Sequence, residues 1–288
     1  MVSSMTGYAA VTRELAAGTL ALELKSVNSR FLDVQFRVAE ELRSAEPQLR
    51  ELAMASVARG KIDCRLAFTA SPLARSEAAL NTEVLSRLAR LSQLVRGALP
   101  DVQPLRVMEV LHWPGVLGED TAAAEALREA ALDAMRAALV ELAATRAREG
   151  EKLARMIRER VARIRGRLAE IEPLVPQAVA AYAEKLATKL REALASADEE
   201  RIRQEIAVFG VRIDVAEELS RLAAHLDEVE RVLAGGGAVG KRLDFLMQEL
   251  NREANTLGAK SVSKELSAGA LEFKVLIEQM REQVQNLE

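Results

Sequence analysis

Leu20-Ala21-Leu22-Glu23-Leu24-Lys25-Ser26-Val27 and Phe31-Leu32-Asp33-Val34-Gln35-Phe36-Arg37-Val38 decide the fold class, because both alternate with a period of two in a chain that is otherwise helical in pattern. Leu20, Leu22 and Leu24 mark the inward face of one half-buried strand. Leu32, Val34, Phe36 and Val38 mark that of the next. Asn28-Ser29-Arg30 between them is short and turn-prone, so a hairpin is the simplest expected connection. Glu41 to Ala58 has helical spacing, with Leu42, Leu49, Leu52 and Val57 as core candidates, and Arg59-Gly60-Lys61 stops it. Ile62, Cys64, Leu66 and Phe68 then alternate as a further strand. Residues 1–75 therefore read as a mixed α/β domain with antiparallel strands.

Beyond it the pattern is helical. Leu85, Leu88, Leu91, Leu94 and Val95 recur at three-to-four spacing, and Pro100, Pro104 and the stretch His112-Trp113-Pro114-Gly115-Val116 break the run. Residues 121–170 hold no proline and are rich in Ala, Leu, Arg and Glu, so one very long helix is expected, or two joined near Glu149-Gly150. The interleaved Arg and Glu of 146–172 read as a solvated helix face rather than a stripe that tracks RNA. The expected fold class is α+β: the N-terminal α/β domain, a helical middle region over 76–200 with long helices, and a helical C-terminal domain over 201–288.

Composition limits the function classes. The 288 residues carry a formal net charge of −3, and residues 1–80, 81–200 and 201–288 sum to +1, −1 and −3, so no segment is a basic arm. A polyanion partner must then be met by a local patch made in the fold or across subunits. A single cysteine excludes an internal disulfide framework and a multi-thiolate zinc site, which favours the cytoplasm. No export signal and no apolar run of membrane-spanning length is expected. Aromatic residues make up only 3%, which suits closely packed Ala- and Leu-rich helices.

The residues that carry chemistry lie in 214–257. Val215, Leu219, Leu222, Leu226, Val229 and Leu233 form one buried stripe at 100° per residue. Asp214, Glu218, Arg221 and His225 fall within about 60° of one another beside it. Two carboxylates, a guanidinium and an imidazole on one strip can bind a divalent cation, polarise a phosphate and move a proton, although Glu218 with Arg221 is also a common surface ion pair. In 243–257 the core stripe is Leu243, Leu246, Met247, Leu250, Ala254 and Leu257. Opposite stand Asp244, Gln248, Asn251, Arg252 and Asn255. Each Asn costs roughly half a kcal/mol of helix propensity relative to Ala, so their amides point to a use in hydrogen bonding to phosphate, sugar or base. Glu249 and Glu253, one turn apart at the flank, fit either a metal or ion pairs with nearby Arg and Lys. Gly235-Gly236-Gly237 reads as a flexible connection that lets the two helices fold back on each other; no phosphate-loop pattern fits it.

Ser4-Met5-Thr6-Gly7-Tyr8, Ser26-Val27-Asn28-Ser29-Arg30-Phe31-Leu32-Asp33, Arg59-Gly60-Lys61, Trp113-Pro114-Gly115-Val116, the run from Lys241 to Gly258, Lys260-Ser261 and Arg281-Glu282-Gln283-Val284-Gln285-Asn286 together resemble the YicC family, in order and over essentially the whole chain. The resemblance implies a bacterial cytoplasmic endoribonuclease, dependent on a divalent metal, that takes part in RNA turnover and assembles as a homo-oligomer, a hexamer. Its acidic helix pattern maps onto Asp214, Glu217, Glu218, Arg221 and His225, and its second pattern onto Gln248 through Thr256. Ser29 stands where many relatives have His or Gln, so no general catalytic histidine is expected there.

The expected chemistry is metal-assisted hydrolysis of RNA phosphodiesters, with Asp214, Glu218 and His225 as ligands of Mg²⁺ or Mn²⁺. His225, Glu218, Arg221, Asp244 and Arg252 form the expected catalytic set, His225 as acid or base and the two arginines against developing phosphorane charge. Asn28, Arg30, Arg37, Lys61, Asn251, Asn255 and Lys260 are the expected RNA contacts. Attack by the 2′-hydroxyl is a variant of this chemistry. A noncatalytic RNA-binding adaptor that delivers RNA to other nucleases is the alternative from another class.

Overall fold

The alternating segments form strands, but they do not pair as a hairpin. In the computed structural model, which describes residues 2–29, 31–71, 80–99, 101–116, 121–193 and 199–288, the strands are β1 (Gly7–Leu15), β2 (Gly18–Val27), β3 (Leu32–Val38) and β4 (Gly60–Ala70). The sheet order is β1-β2-β4-β3. β2 lies antiparallel between β1 and β4, while β3 runs parallel to β4 at the edge, with Leu32 opposite Gly60. The hairpin expected at Asn28-Ser29-Arg30 is thus replaced by one between β1 and β2, where Leu15 faces Gly18. A short 3-10 turn (Glu40–Ala45) and helix α1 (Glu46–Ser56) carry the chain from β3 to its parallel neighbour, as a crossover must. β1 escapes a periodicity reading because only Ala9 of its inward positions is fully buried.

The remaining helices are α2 (Thr82–Ala98), α3 (Val107–Leu111), α4 (Thr121–Ile171), α5 (Val175–Ala193), α6 (Glu199–Arg212), α7 (Ala216–Gly235), α8 (Gly240–Lys260) and α9 (Lys264–Val284). The described chain is therefore α+β, with the strands N-terminal and long helices after them. It divides into two compact units, residues 7–143 and residues 1–6 with 144–288. α4, a continuous helix of 51 residues, supplies a core face to each unit in turn.

In the unit of residues 7–143, Leu20, Leu22, Leu24, Ile62, Cys64 and Leu66 cover one sheet face and pack with Leu42, Leu49 and Ala53. Ala131, Ala134, Met135, Ala138 and Leu142 of α4 complete that core, the small side chains allowing close approach. Burial, assisted by Asp63 and Glu46, pushes the Cys64 thiol up to about 12, so it remains a neutral packing group. On α2 only Leu88 of the expected apolar stripe is buried, while Leu91, Leu94 and Val95 are exposed.

In the unit of residues 1–6 and 144–288, Ala154, Ile157, Val161, Ile164 and Ile171 of α4 pack with α7, α8 and α9. The stripes read from sequence are the observed core, with Leu222, Leu226, Val229, Leu243, Met247, Leu250, Ala254 and Leu257 all inaccessible at 0%. Gly150 does not divide α4. A Cβ there would lie 2.3 Å from the carbonyl oxygen of Val2, so the glycine admits the N-terminal segment against the helix. That segment is tied by Met5 N–H donating to Asn286 O (2.8 Å), and by Ser4 N–H donating to Arg146 O (2.9 Å). Two motifs from opposite ends of the chain thereby serve one structural clasp.

Candidate active site

α7 begins where Asp214 Oδ1 accepts the Ala216 N–H at 3.0 Å, and it ends at Gly236, whose φ of +67° few other residues adopt. The glycines turn the chain so that α8 packs beside α7. Among the described residues, one group of three or more His, Cys, Asp and Glu side chains has its ligand atoms all within 4.8 Å of one another: His225 of α7 with Glu249 and Glu253 of α8. Glu253 is 2% exposed, and His225 and Glu249 are half-buried.

Two arginines flank this group. Arg252 places one terminal guanidinium nitrogen 3.0 Å from Glu249 Oε2 and 3.1 Å from Glu253 Oε1. Hydrogen bonding to Glu253, with the charge of Glu249, raises the Arg252 pKa above its ordinary value. Arg221 donates to Glu217 at 2.5 Å and stands 3.7 Å from Glu253 Oε1. The site thus presents an imidazole and two carboxylates, with two guanidinium groups at its rim.

The ligand set read from the helical wheel is not brought together. Glu218 and His225 share an angular sector, but two turns separate them by about 10 Å along the axis. Glu218, 4% exposed, turns to Lys260, whose ammonium donates to its Oε1 at 2.8 Å and to the backbone oxygen of Asp214 at 3.0 Å. This clasp joins the start of α7 to the end of α8, and it engages three residues expected to contact metal or RNA. Asp244 stands away as well, accepting from Gln248 at 3.0 Å and lying 3.7 Å from Arg281. Of the expected set, His225, Arg221 and Arg252 converge, and Glu249 and Glu253 complete the group. Their one-turn spacing was visible in sequence, whereas the facing histidine belongs to the packing of α7 on α8.

The remaining expected RNA contacts fall in two places. On α8, Asn255 donates to Asn251 at 2.7 Å, an amide ladder on the side of Arg252 away from the carboxylates. In the other unit, Asn28 follows the end of β2, and Lys61 pairs in register with Val27 and Asp33. Arg37 lies further along β3 on the exposed face, 3.9 Å from Asp63. Arg30 lies outside the described residues.

A family model described as the C-terminal domain of YicC-like endoribonucleases matches residues 171–288, and the model of their N-terminal region matches residues 2–155. The chain belongs to the YicC-like family. Over 288 residues, all of both chains, it is 38% identical to a protein of Haemophilus influenzae named probable endoribonuclease YicC. A protein of Clostridioides difficile with the same name is 29% identical over 295 residues, again across both full lengths. The candidate group His225–Glu249–Glu253 lies wholly within the part matched by the C-terminal family model. No helix among the described residues is long and apolar enough to cross a membrane.

Proposed function

We propose that this YicC-like chain is an endoribonuclease that cleaves RNA phosphodiesters with a divalent cation held by His225, Glu249 and Glu253, and that it serves cytoplasmic RNA turnover in bacteria. The observation that carries the reading is the meeting of these three side chains within 4.8 Å, beside Arg221 and Arg252. The donor set fits the cation: two carboxylates suit Mg²⁺ or Mn²⁺, and the imidazole shifts the preference toward Mn²⁺. Once bound, such an ion supplies Lewis-acid polarisation of a phosphate oxygen and makes water more acidic. The protein's own part is electrostatic and positional. Arg221 and Arg252 offset charge that develops on the phosphate, and the Asn251–Asn255 ladder orients the RNA strand through its amides.

The test is cleavage of a defined end-labelled RNA by the parental protein and His225→Ala, each with Mn²⁺ and with EDTA. Mn²⁺-dependent cleavage, lost in the variant while RNA binding persists, supports the reading. A variant that cleaves at the parental rate removes the site assignment. A 2′,3′-cyclic phosphate end formed equally in EDTA transfers the chemistry to the 2′-hydroxyl, and binding without cleavage by the parental protein returns the adaptor reading.

Self-assembly is proposed through α2. Leu94 is 71% exposed and Val95 48%, on a helix whose apolar stripe the described residues leave partly uncovered. Leu94→Glu is expected to shift the sedimentation coefficient toward smaller species. An unchanged coefficient for an oligomeric parent excludes α2 from the interface.

A further inference from the structure

The cation site already contains a positive charge. One terminal nitrogen of Arg252 touches Glu249 at 3.0 Å and Glu253 at 3.1 Å, the same two carboxylates that join His225 in the candidate group. That nitrogen therefore neutralises the two carboxylates that would hold a cation. The Arg252 side chain is 60% exposed, so it is held by these two contacts and not by packing. At about 100° per residue it projects from α8 between Glu249 and Glu253 on one side and Gln248, Asn251 and Asn255 on the other.

We propose that Arg252 is an exchangeable counter-ion that couples cation binding to RNA binding: a divalent cation displaces its guanidinium from Glu249 and Glu253, and the released guanidinium takes an RNA phosphate on the Asn251–Asn255 side. The inference rests on the cation site proposed above. Its physical basis is charge balance. Two carboxylates are neutralised by Arg252 with help from Arg221, whereas adding a divalent cation beside both guanidiniums leaves an excess of like charge. The exposed arginine with a free path relieves it. A displaced guanidinium presents planar donors suited to phosphate oxygens. Cation and RNA then favour each other, and by linkage the effect is reciprocal.

Mn²⁺ binding by titration calorimetry, and anisotropy of a labelled short 2′-O-methyl oligoribonucleotide with and without Mn²⁺, test this on the full-length parental protein, Arg252→Gln, Arg221→Gln and His225→Ala. The parental protein is expected to bind the oligonucleotide roughly 5- to 50-fold more tightly with Mn²⁺. Arg252→Gln should bind Mn²⁺ more tightly than the parent, because the competitor is gone, yet show no Mn²⁺ enhancement of RNA binding. Arg221→Gln should keep the enhancement, which separates displacement from simple loss of a nearby charge. Equal Mn²⁺ affinity in Arg252→Gln and the parent, or an undiminished enhancement, overturns the exchange while leaving the cation site in place. Mn²⁺ affinity unchanged in His225→Ala overturns the site itself and the exchange with it.

Discussion

Glu253→Gln is expected to slow RNA cleavage by roughly 10²- to 10³-fold at saturating Mn²⁺, with the helical circular dichroism spectrum unchanged. The carboxylate of Glu253 is 2% exposed, takes a hydrogen bond from Arg252 at 3.1 Å, and stands 3.7 Å from Arg221. Gln keeps the shape and removes the charge. It takes one anionic ligand from the cation site and removes the buried negative charge that balances the neighbouring guanidiniums, so the electrostatic arrangement for the phosphate is lost as a unit. Several kcal/mol of transition-state stabilisation correspond to the stated range, since each 1.36 kcal/mol is about tenfold in rate. Initial rates on an end-labelled RNA check it. Asp214→Asn and Asp244→Asn serve as the counter-test: the first carboxylate accepts the Ala216 N–H where α7 starts and the second pairs toward α9, so both variants should stay within about threefold of the parent. A Glu253→Gln protein as active as those two would place the chemistry elsewhere.

That contrast also marks what the residues disclosed in one dimension. Burial follows periodicity, so the stripes of α7 and α8 were readable to the residue, from Leu222 and Leu226 to Met247 and Leu250. A helical wheel discards the axial coordinate, however. It set Glu218 beside His225 although two turns intervene, and it had no means of bringing Glu249 and Glu253 across from another helix. The same loss of long-range information produced the β2–β3 hairpin: the alternation was right, but pairing depends on α1 carrying the chain over to β4. Gly150 is the converse case. As a local signal it suggested a helix break, and its actual cause is the carbonyl of Val2, which lies 148 positions away in the chain. The stripe of α2 obeys its period, yet Leu91, Leu94 and Val95 stay exposed among the described residues, so periodicity there indicates a face to be covered without showing by what.

Arg146→Ala is expected to lower the stability of the unit formed by residues 1–6 and 144–288 by about 3–5 kcal/mol. Domains commonly have only about 5–15 kcal/mol in total, so this is a large share. The Arg146 side chain is 9% exposed. Its Nε donates to the backbone oxygen of Ser4 at 2.6 Å, and a terminal nitrogen donates to the carboxylate of Glu288, itself 18% exposed. Truncation removes a counter-charge from a part-buried carboxylate and a donor from the Ser4 carbonyl, which costs more than the intact pair contributes. Urea unfolding followed by circular dichroism should show a lower midpoint, and pairing the change with Glu288→Gln should recover part of the loss, because the uncompensated charge is then gone. Gly150→Ala attacks the same clasp sterically and should lower the midpoint as well, since its Cβ meets the Val2 oxygen at 2.3 Å. Neither change touches His225, Glu249 or Glu253, so Mn²⁺ affinity measured well below the melting range should match the parent's. If Arg146→Ala instead abolished Mn²⁺ binding in a fully folded protein, the clasp would be part of the site's electrostatics and not only of the scaffold that holds α7 and α8 in place.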